Sequence, residues 1–244
     1  MAESVGGEQV EGRRAVLELL RAKTRAVRAV YVSRASDSDD VLAEIEQLAG
    51  RNLKPVAPER LEQLARSDVH QGVVATAAPL PVADFDALIA NPKAFLVVLD
   101  GVTDPRNFGA VLRSAETAGA TGAVITRNRS ARITPAAAKA AAGAIEYVPI
   151  AMVGGIPAAL ERAKRAGVWC VGLDERGDAD VFDLTLADEP LALVLGAEGR
   201  GLARLTRERC DMLVRIPMRG NVASLNVAAA ATLACHEIAR RRAG

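Results

Sequence analysis

Six short apolar runs in the second part of the chain limit its fold more than any other feature. The runs are predominantly apolar rather than alternating, and a segment with helical spacing separates most of them. Parallel strands covered by helices on both faces of their sheet have this character. The pattern therefore predicts an α/β domain with a mostly parallel sheet. Its predicted strands are 95–100, 122–126, 147–151, 168–173, 191–195 and 212–217, and its predicted helices include 107–118, 157–166 and 224–241.

The first part of the chain is predicted to form a smaller alternating α/β unit. Its predicted helices are 13–20, 39–49 and 58–65, and its predicted strands are 29–33 and 72–77. Two prolines, Pro79 and Pro81, then favour an extended backbone. We therefore expect an amino-terminal domain over residues 1–78, a linker over 79–92 and a second domain over 93–244.

Composition narrows the functional classes. The 244 residues are 50% hydrophobic and 25% charged, enough for a buried core, and the net charge of +1 provides no general attraction for nucleic acid. Three cysteines without paired spacing and two histidines do not suggest a disulfide framework or a metal site. The sequence has neither the plan of a signal peptide nor an apolar run of membrane-spanning length. We expect a cytoplasmic protein with reduced thiols, no bound metal and no membrane contact.

Basic residues are concentrated near the amino terminus, where only Glu18 interrupts them. Charge alone favours a solvated helix face for such a run. An RNA-binding surface is the alternative, because arginine and lysine neutralise phosphates. The cluster comprises Arg13, Arg14, Arg21, Lys23, Arg25 and Arg28.

The first candidate functional loop follows the predicted strand 95–100. Asp104 and Pro105 are a cap and first-turn signal, so a helix is expected to begin there. On that helix Arg113 and Glu116 share a face and can form an ion pair. Alternatively Arg113, which lies among alanine, valine and leucine, emerges from a mostly buried helix at a cleft.

Two further loops follow predicted strands close to the carboxyl terminus. Gly196-Ala-Glu-Gly-Arg-Gly201 allows close backbone approach, while Glu198 argues against a phosphate cradle and favours a zwitterionic or cationic ligand that carries an adenine. Ser224 is expected to cap the last helix, and Asn226 adds an amide that donates and accepts hydrogen bonds. Because open α/β sheets bind ligands at the carboxyl ends of their strands, we expect one pocket for a small molecule.

Together the three motifs resemble those of the SpoU/TrmH ribose 2′-O-methyltransferases over residues 93–244. The motifs are Asp104-Pro-Arg-Asn-Phe-Gly109 with Arg113 and Glu116, Leu195–Gly201, and Ile216-Pro-Met218 with Ser224-Leu-Asn226. The amino-terminal unit, with Gly12-Arg-Arg14 and His70-Gln-Gly72, looks like the ribosomal-protein-like RNA-binding domain of the bacterial 23S rRNA guanosine methyltransferases in this family.

The resemblance implies a carboxy-terminal trefoil knot, which general topology rules alone would reject, and a homodimer. It also implies bound S-adenosylmethionine and an RNA substrate. By the same resemblance the catalytic residues are Asn107, Arg113, Ser224 and Asn226. The residues implied to bind the cofactor are Leu195, Gly196, Glu198, Gly199, Ile216, Met218, Ser224, Leu225 and Asn226.

The expected reaction is methyl transfer to a ribose 2′-hydroxyl, first of all in a guanosine of 23S rRNA. A tRNA and an antibiotic-resistance site in rRNA are the alternative targets. A non-catalytic RNA-binding or ribosome-assembly factor is the main rival, and a nucleotide-dependent oxidoreductase is disfavoured because no early glycine fingerprint is present. The amino-terminal basic cluster is expected to contact RNA together with Arg127, Arg129 and Arg132.

Overall fold

The structure is a computed structural model, and it describes residues 4–33, 39–67, 70–128, 130–221 and 224–243. Two parts of the sequence interpretation fall outside these ranges. One is Arg129, which was predicted to contact RNA, and the other is residues 222–223 of the third motif.

The amino-terminal unit is a four-stranded sheet with helices. Its strands are β1 (Gln9–Glu11), β2 (Val27–Ser33), β3 (Leu53–Val56) and β4 (Val73–Ala77), and its helices are α1 (Arg13–Ala22), α2 (Asp40–Ala49) and α3 (Pro58–Leu64). The strand order is β1-β4-β2-β3, with only β2 and β3 parallel. The sequence did not predict β1 or β3. Pro55 is tolerated in β3 because that strand lies at the sheet edge.

The second unit is built on an eight-stranded sheet in which every pairing is parallel, as predicted. The strand order is β10-β12-β9-β11-β6-β7-β8-β5. Its strands are β5 (Val82–Ala83), β6 (Phe95–Asp100), β7 (Gly122–Thr126), β8 (Ile150–Val153), β9 (Trp169–Leu173), β10 (Ala179–Asp180), β11 (Leu191–Gly196) and β12 (Met212–Arg215). Its helices are α4 (Phe85–Ile89), α5 (Pro105–Thr117), α6 (Pro135–Ala141), α7 (Ile156–Arg165), α8 (Arg204–Arg209) and α9 (Val227–Arg242).

Helices cover both faces of the large sheet. In β6 the side chains of Phe95, Val97 and Leu99 belong to a core shared with α5, α6 and α9. Leu96 and Val98 point to the opposite face, where the core includes residues of α4 and α7. Because successive side chains of a strand alternate between faces, a fully apolar strand is what two covered faces require.

Some predicted boundaries differ from the structure. The strand predicted at 147–151 begins only at Ile150, because residues 144–146 form a 3-10 turn and Pro149 has no N–H to donate to a ladder. The alanine-rich α6 was missed because alanine gives little contrast between polar and apolar faces. Segment 79–92 was predicted as a linker, and it contains β5, which pairs with β8, and α4. The domain bounds and the trefoil knot stay predictions.

All three cysteines are free. Burial raises the pKa of each thiol, Cys170, Cys210 and Cys235, to about 12, so the unreactive protonated form is favoured. None of the helices in the described ranges combines the length and the apolar character needed to span a bilayer.

A buried ion pair joins the two units. Arg25 lies between α1 and β2, and its guanidinium is 2.6 Å from Glu146 of the second unit, with both side chains 2% exposed or less. The same guanidinium donates to the backbone carbonyls of Gly7 and Ala78. Gly7 in turn donates its N–H to the carbonyl of Ile133. The amino-terminal unit is thus fixed against the large sheet domain by charge-assisted and backbone hydrogen bonds.

Replacing Arg25 tests this junction. We expect Arg25→Met to lower the free energy of unfolding by about 3–5 kcal/mol, because it leaves the carboxylate of Glu146 buried without its partner. The double variant Arg25→Met/Glu146→Met should recover most of the loss. Arg21→Met is the matched control, since its ion pairs with Glu18 and Glu44 are exposed and worth at most about 1 kcal/mol. Equal shifts of the urea midpoint for Arg25→Met and Arg21→Met would contradict the assignment.

Candidate active site

The register of four neighbouring strands brings the three motif loops to one edge of the sheet. Leu195 of β11 is paired with Leu99 of β6 and with Leu173 of β9. Leu173 is also paired with Val214 of β12. The carboxyl ends of these strands therefore stand side by side, and the segments that follow them have to meet.

The glycine loop after β11 folds back on itself. Ala197 and Gly201 exchange two backbone hydrogen bonds, of 3.1 and 2.8 Å, and Gly199 between them has a φ of 74°. A Cβ on Gly196 would lie 2.1 Å from the carbonyl carbon of Gly201. The loop can close this tightly only because these positions carry no side chain. Glu198 is an exposed residue of this loop.

The helix after β6 begins as the sequence predicts. Asp104 accepts a hydrogen bond of 2.8 Å from the backbone N–H of Asn107, and Pro105 occupies the first turn. This cap holds Asn107 at the start of α5. Further along, Gly109 allows a close crossing of α6, since a Cβ there would lie 2.2 Å from the carbonyl oxygen of Ala137.

The cap of the last helix is a correction to the sequence interpretation. Ser224 was expected to cap it, but Asn226 does so, accepting a hydrogen bond of 2.9 Å from the backbone N–H of Ala228. Ser224 is exposed two residues earlier, and its hydroxyl has no hydrogen-bond partner among the described residues. The cap matters because it orients the amide of Asn226.

Side chains from all three motifs form one hydrogen-bonded cluster. Asn107 donates to one oxygen of Glu198 at 2.9 Å, and Asn226 donates to the other at 3.1 Å. Asn226 also donates to the amide oxygen of Asn107 at 3.0 Å. Hydrogen bonds to a carboxylate are stronger than those between neutral groups. Glu198 therefore holds the two amides together, although Asn107 precedes Asn226 by 119 residues.

A cleft of about 1330 Å³ opens beside this cluster. It runs between the segments that follow β9, β11 and β12, and all nine residues predicted to bind a cofactor line it. Apolar contact surface comes from Leu195, Ile216, Met218 and Leu225, and polar groups come from Glu198 and the loop backbone. The arrangement supports the expectation of one shared pocket, and the roles of these residues stay proposals.

Arg113 is not part of this cleft. Its side chain is exposed on α5 and does not line the cavity. The predicted ion pair with Glu116 is absent from the ion pairs of the described residues, and no other described residue bonds the guanidinium. Nearby on the same helix, the Ser114 and Thr232 hydroxyls are 2.7 Å apart and Thr117 lies 3.3 Å from a ring nitrogen of His236. These contacts join α5 to α9.

Sequence reasoning missed two aspartates that support the glycine loop. Asp174, just after β9, accepts a hydrogen bond of 2.9 Å from Arg207, which also donates to the carbonyl of Leu202. Asp100, at the end of β6, accepts one of 3.0 Å from the backbone N–H of Ala203. Each aspartate stands at the end of an apolar strand or directly after it. An acid at that position is the sequence signal that could have identified them.

The residues predicted to bind RNA differ in their exposure and in their contacts within the protein. Arg13 pairs with Asp39, Arg21 pairs with Glu18 and Glu44, and the Arg25 side chain is buried. Arg132 is exposed and donates to the carbonyl of Arg127. Arg14, Lys23 and Arg28 are exposed on the amino-terminal unit, and Arg127 is exposed directly after β7. Burial removes Arg25 from the surface that RNA can reach.

Fold and site together define a class, an α/β protein with a small-molecule cleft at the carboxyl ends of its parallel strands. The SpoU rRNA Methylase family model matches residues 94–236, and the model for RNA 2′-O ribose methyltransferase substrate binding matches residues 9–83. The chain belongs to the SpoU rRNA Methylase family, which confirms the resemblance seen in its motifs.

Individual relatives agree with this family. The chain is 38% identical to 23S rRNA (guanosine-2′-O-)-methyltransferase RlmB of Pseudomonas putida, with 96% of this chain and 97% of that protein covered. It is 40% identical to the protein of the same name from Bordetella pertussis, with the same coverage. Among solved structures it resembles the SpoU methyltransferase AviRb of Streptomyces viridochromogenes in complex with AdoMet, with a TM-score of 0.80 and 29% identity over 96% of this chain and 90% of that one.

Two substitutions of Asn226 separate its helix cap from its contacts in the cluster. Asn226→Ala removes both and should cost about 1 kcal/mol of stability through the lost cap. Asn226→Asp keeps an oxygen for the cap but loses the donors to Asn107 and Glu198 and brings a second carboxylate beside Glu198. Because the cap is kept, we expect Asn226→Asp to have a higher melting temperature than Asn226→Ala. Both variants should bind S-adenosylmethionine at least tenfold more weakly in calorimetry, since a hydrogen bond to a charged group is worth about 1.5–3 kcal/mol. Wild-type affinity in Asn226→Asp would show that the cluster does not shape the cleft.

Proposed function

We propose that the protein transfers a methyl group from S-adenosylmethionine to a ribose 2′-hydroxyl of RNA, most directly a guanosine of 23S rRNA. The main structural support for this proposal is the cluster in which Glu198 holds Asn107 and Asn226 beside one cleft. Family membership and the RlmB relatives supply the reaction and the rRNA substrate class. We expect the reaction in the cytoplasm, because that is where an rRNA substrate meets the protein.

The cleft fits the proposed cofactor. Leu195, Ile216, Met218 and Leu225 offer apolar surface for an adenosine, and the backbone of Gly196 and Gly199 allows close approach. Glu198 brings negative charge to the loop, which suits a ligand with cationic groups. Ser224 and Asn226 would add hydrogen bonds to its polar end.

The chain itself has little chemistry to perform. When bound, S-adenosylmethionine supplies a methyl group already activated by its sulfonium. Asn107, Ser224 and Asn226 would orient the ribose against that group, since alignment of reacting atoms lowers the barrier most. Arg113 would stabilise the negative charge that develops on the 2′-oxygen. A guanidinium keeps its proton in proteins, so Arg113 serves as donor rather than base.

We also propose that the protein works as a homodimer that pairs through α5 and α9. Thr117 of α5 and His236 of α9 are exposed and in contact with each other, and Leu233 of α9 is 42% exposed. Arg113 lies four residues before Thr117 on α5, so the two share a helix face, and Arg113 does not line the cleft of its own chain. In the proposed dimer, Arg113 would act at the cleft of the partner.

Methyl transfer to rRNA tests the function directly. Purified protein and labelled S-adenosylmethionine should methylate 23S rRNA from cells that lack the gene, and mapping of 2′-O-methyl groups should find a single ribose protected. The cofactor should also raise the melting temperature, because a ligand that binds the folded state stabilises it. Binding of RNA without methyl transfer would favour a non-catalytic assembly factor.

Substitutions of Arg113 test its role as donor. Arg113→Ala should reduce the single-turnover methylation rate by about 10²–10³, the cost of removing one donor to a developing oxyanion. Arg113→Lys keeps the positive charge and should retain a small but measurable fraction of the rate. Equal losses in the two variants would contradict stabilisation by charge.

Mixing two inactive variants tests whether Arg113 acts across the dimer. Arg113→Ala has an intact cleft, and Glu198→Ala has an intact Arg113. If the guanidinium acts in the partner's cleft, mixed dimers contain one complete site and activity returns after the subunits are exchanged. If it acts within its own chain, every site lacks one group and the mixture stays inactive. Each variant mixed with itself is the control.

A further inference from the structure

We propose that Arg200 and Arg219 hold the phosphates on either side of the RNA nucleotide that enters the cleft. Neither residue belongs to the basic cluster near the amino terminus. The inference rests on the proposed function, because it assumes that a ribose of single-stranded RNA reaches this cleft. The two arginines would form a second RNA contact, separate from the amino-terminal cluster and next to the cleft where the methyl group is transferred.

The size of the cleft leaves room for more than the cofactor. Pockets for ligands of drug size are roughly 300–1,000 Å³, and the volume here is about 1330 Å³. The excess lies in one continuous opening between the segments that follow β9, β11 and β12. A nucleotide of the substrate therefore has space beside a cofactor of ordinary size.

Five arginines line the opening, and their contacts divide them. Arg207 is held by Asp174, and Arg215 donates to the carbonyl of Gly177 at 2.8 Å. Arg200 and Arg219 are exposed, and neither side chain has a hydrogen bond or ion pair with any residue that the structure describes. Their guanidiniums are therefore available to an outside anion.

The fifth, Arg176, is a poorer site for an anion. It is also exposed, but it directly follows Glu175, and this carboxylate, which lines the cleft as well, opposes the approach of a phosphate. Arg200 belongs to the glycine loop, and Arg219 follows Pro217 and Met218. Glu198, two residues before Arg200, is already held by two amides.

The positions of the two arginines suit the two sides of one nucleotide. Arg200 follows β11 and Arg219 follows β12, and β9 lies between these strands in the sheet. Two strand spacings separate them, roughly 10 Å at the level of the sheet. Guanidiniums are well suited to phosphate, because their fork of N–H groups binds two oxygens at once.

The salt dependence of RNA binding tests the inference in the full-length protein. Each phosphate contact to a single strand contributes about 0.7 to the slope of log K against log salt. Arg200→Gln/Arg219→Gln should therefore lower the magnitude of the slope for 23S rRNA by about 1.4, which corresponds to about a tenfold loss of affinity at 0.15 M salt. The matched control is Lys93→Gln/Arg165→Gln, which removes the same charge from exposed positions outside the cleft. Its slope should match the wild type.

Cofactor binding separates the possible failures. The affinity for S-adenosylmethionine and the melting temperature should be the same in the double variant and the control. A tenfold weaker cofactor affinity in the double variant would overturn the inference, since the arginines would then serve the cofactor. Equal slopes for the double variant and the control would overturn it as well. If the wild type transferred no methyl group but the slopes still differed, the phosphate contacts would stand and the proposed function would fall.

Discussion

The shared carboxylate of Glu198 is the interaction on which the site depends. It accepts hydrogen bonds from the amides of Asn107, in the first turn of α5, and Asn226, the N-cap of α9. Asp100 fixes the start of a third helix, because it accepts a hydrogen bond from the backbone N–H of Ala203, the N-cap of α8. The site is therefore assembled from helix starts around one glycine loop, and removing the acid would leave both amides without their common acceptor.

This arrangement explains why backbone geometry matters as much as side-chain chemistry here. The loop that carries Glu198 is closed by the Ala197–Gly201 bridge, and its first residue has no room for a Cβ. Asp174 and Arg207 support the other side of the same loop. Because each cap and each turn fixes the next, few of these groups can move independently, and such pre-organisation is what alignment of two reactants needs.

Much of the fold followed from the sequence, because strands covered on both faces carry continuous apolar runs and the caps at Asp104 and Pro105 are local signals. The pocket also followed, since its glycines and polar groups directly follow strands. What failed depends on distant partners. Nothing near Arg25 in the sequence announces Glu146, 121 residues away, and only the structure shows which member of the basic cluster is buried. Likewise, Ser224 and Asn226 are both good caps by chemistry, and the path of the chain before α9 decides between them.

The junction at Arg25 has a consequence for the choice of target. Because a buried ion pair and backbone contacts hold the small unit against the large one, we expect their separation to vary little. An RNA that touches both must then offer its anchoring element and its reactive ribose at one spacing and one angle. The protein would then select an RNA by the distance and angle between these two elements rather than by the identity of its bases.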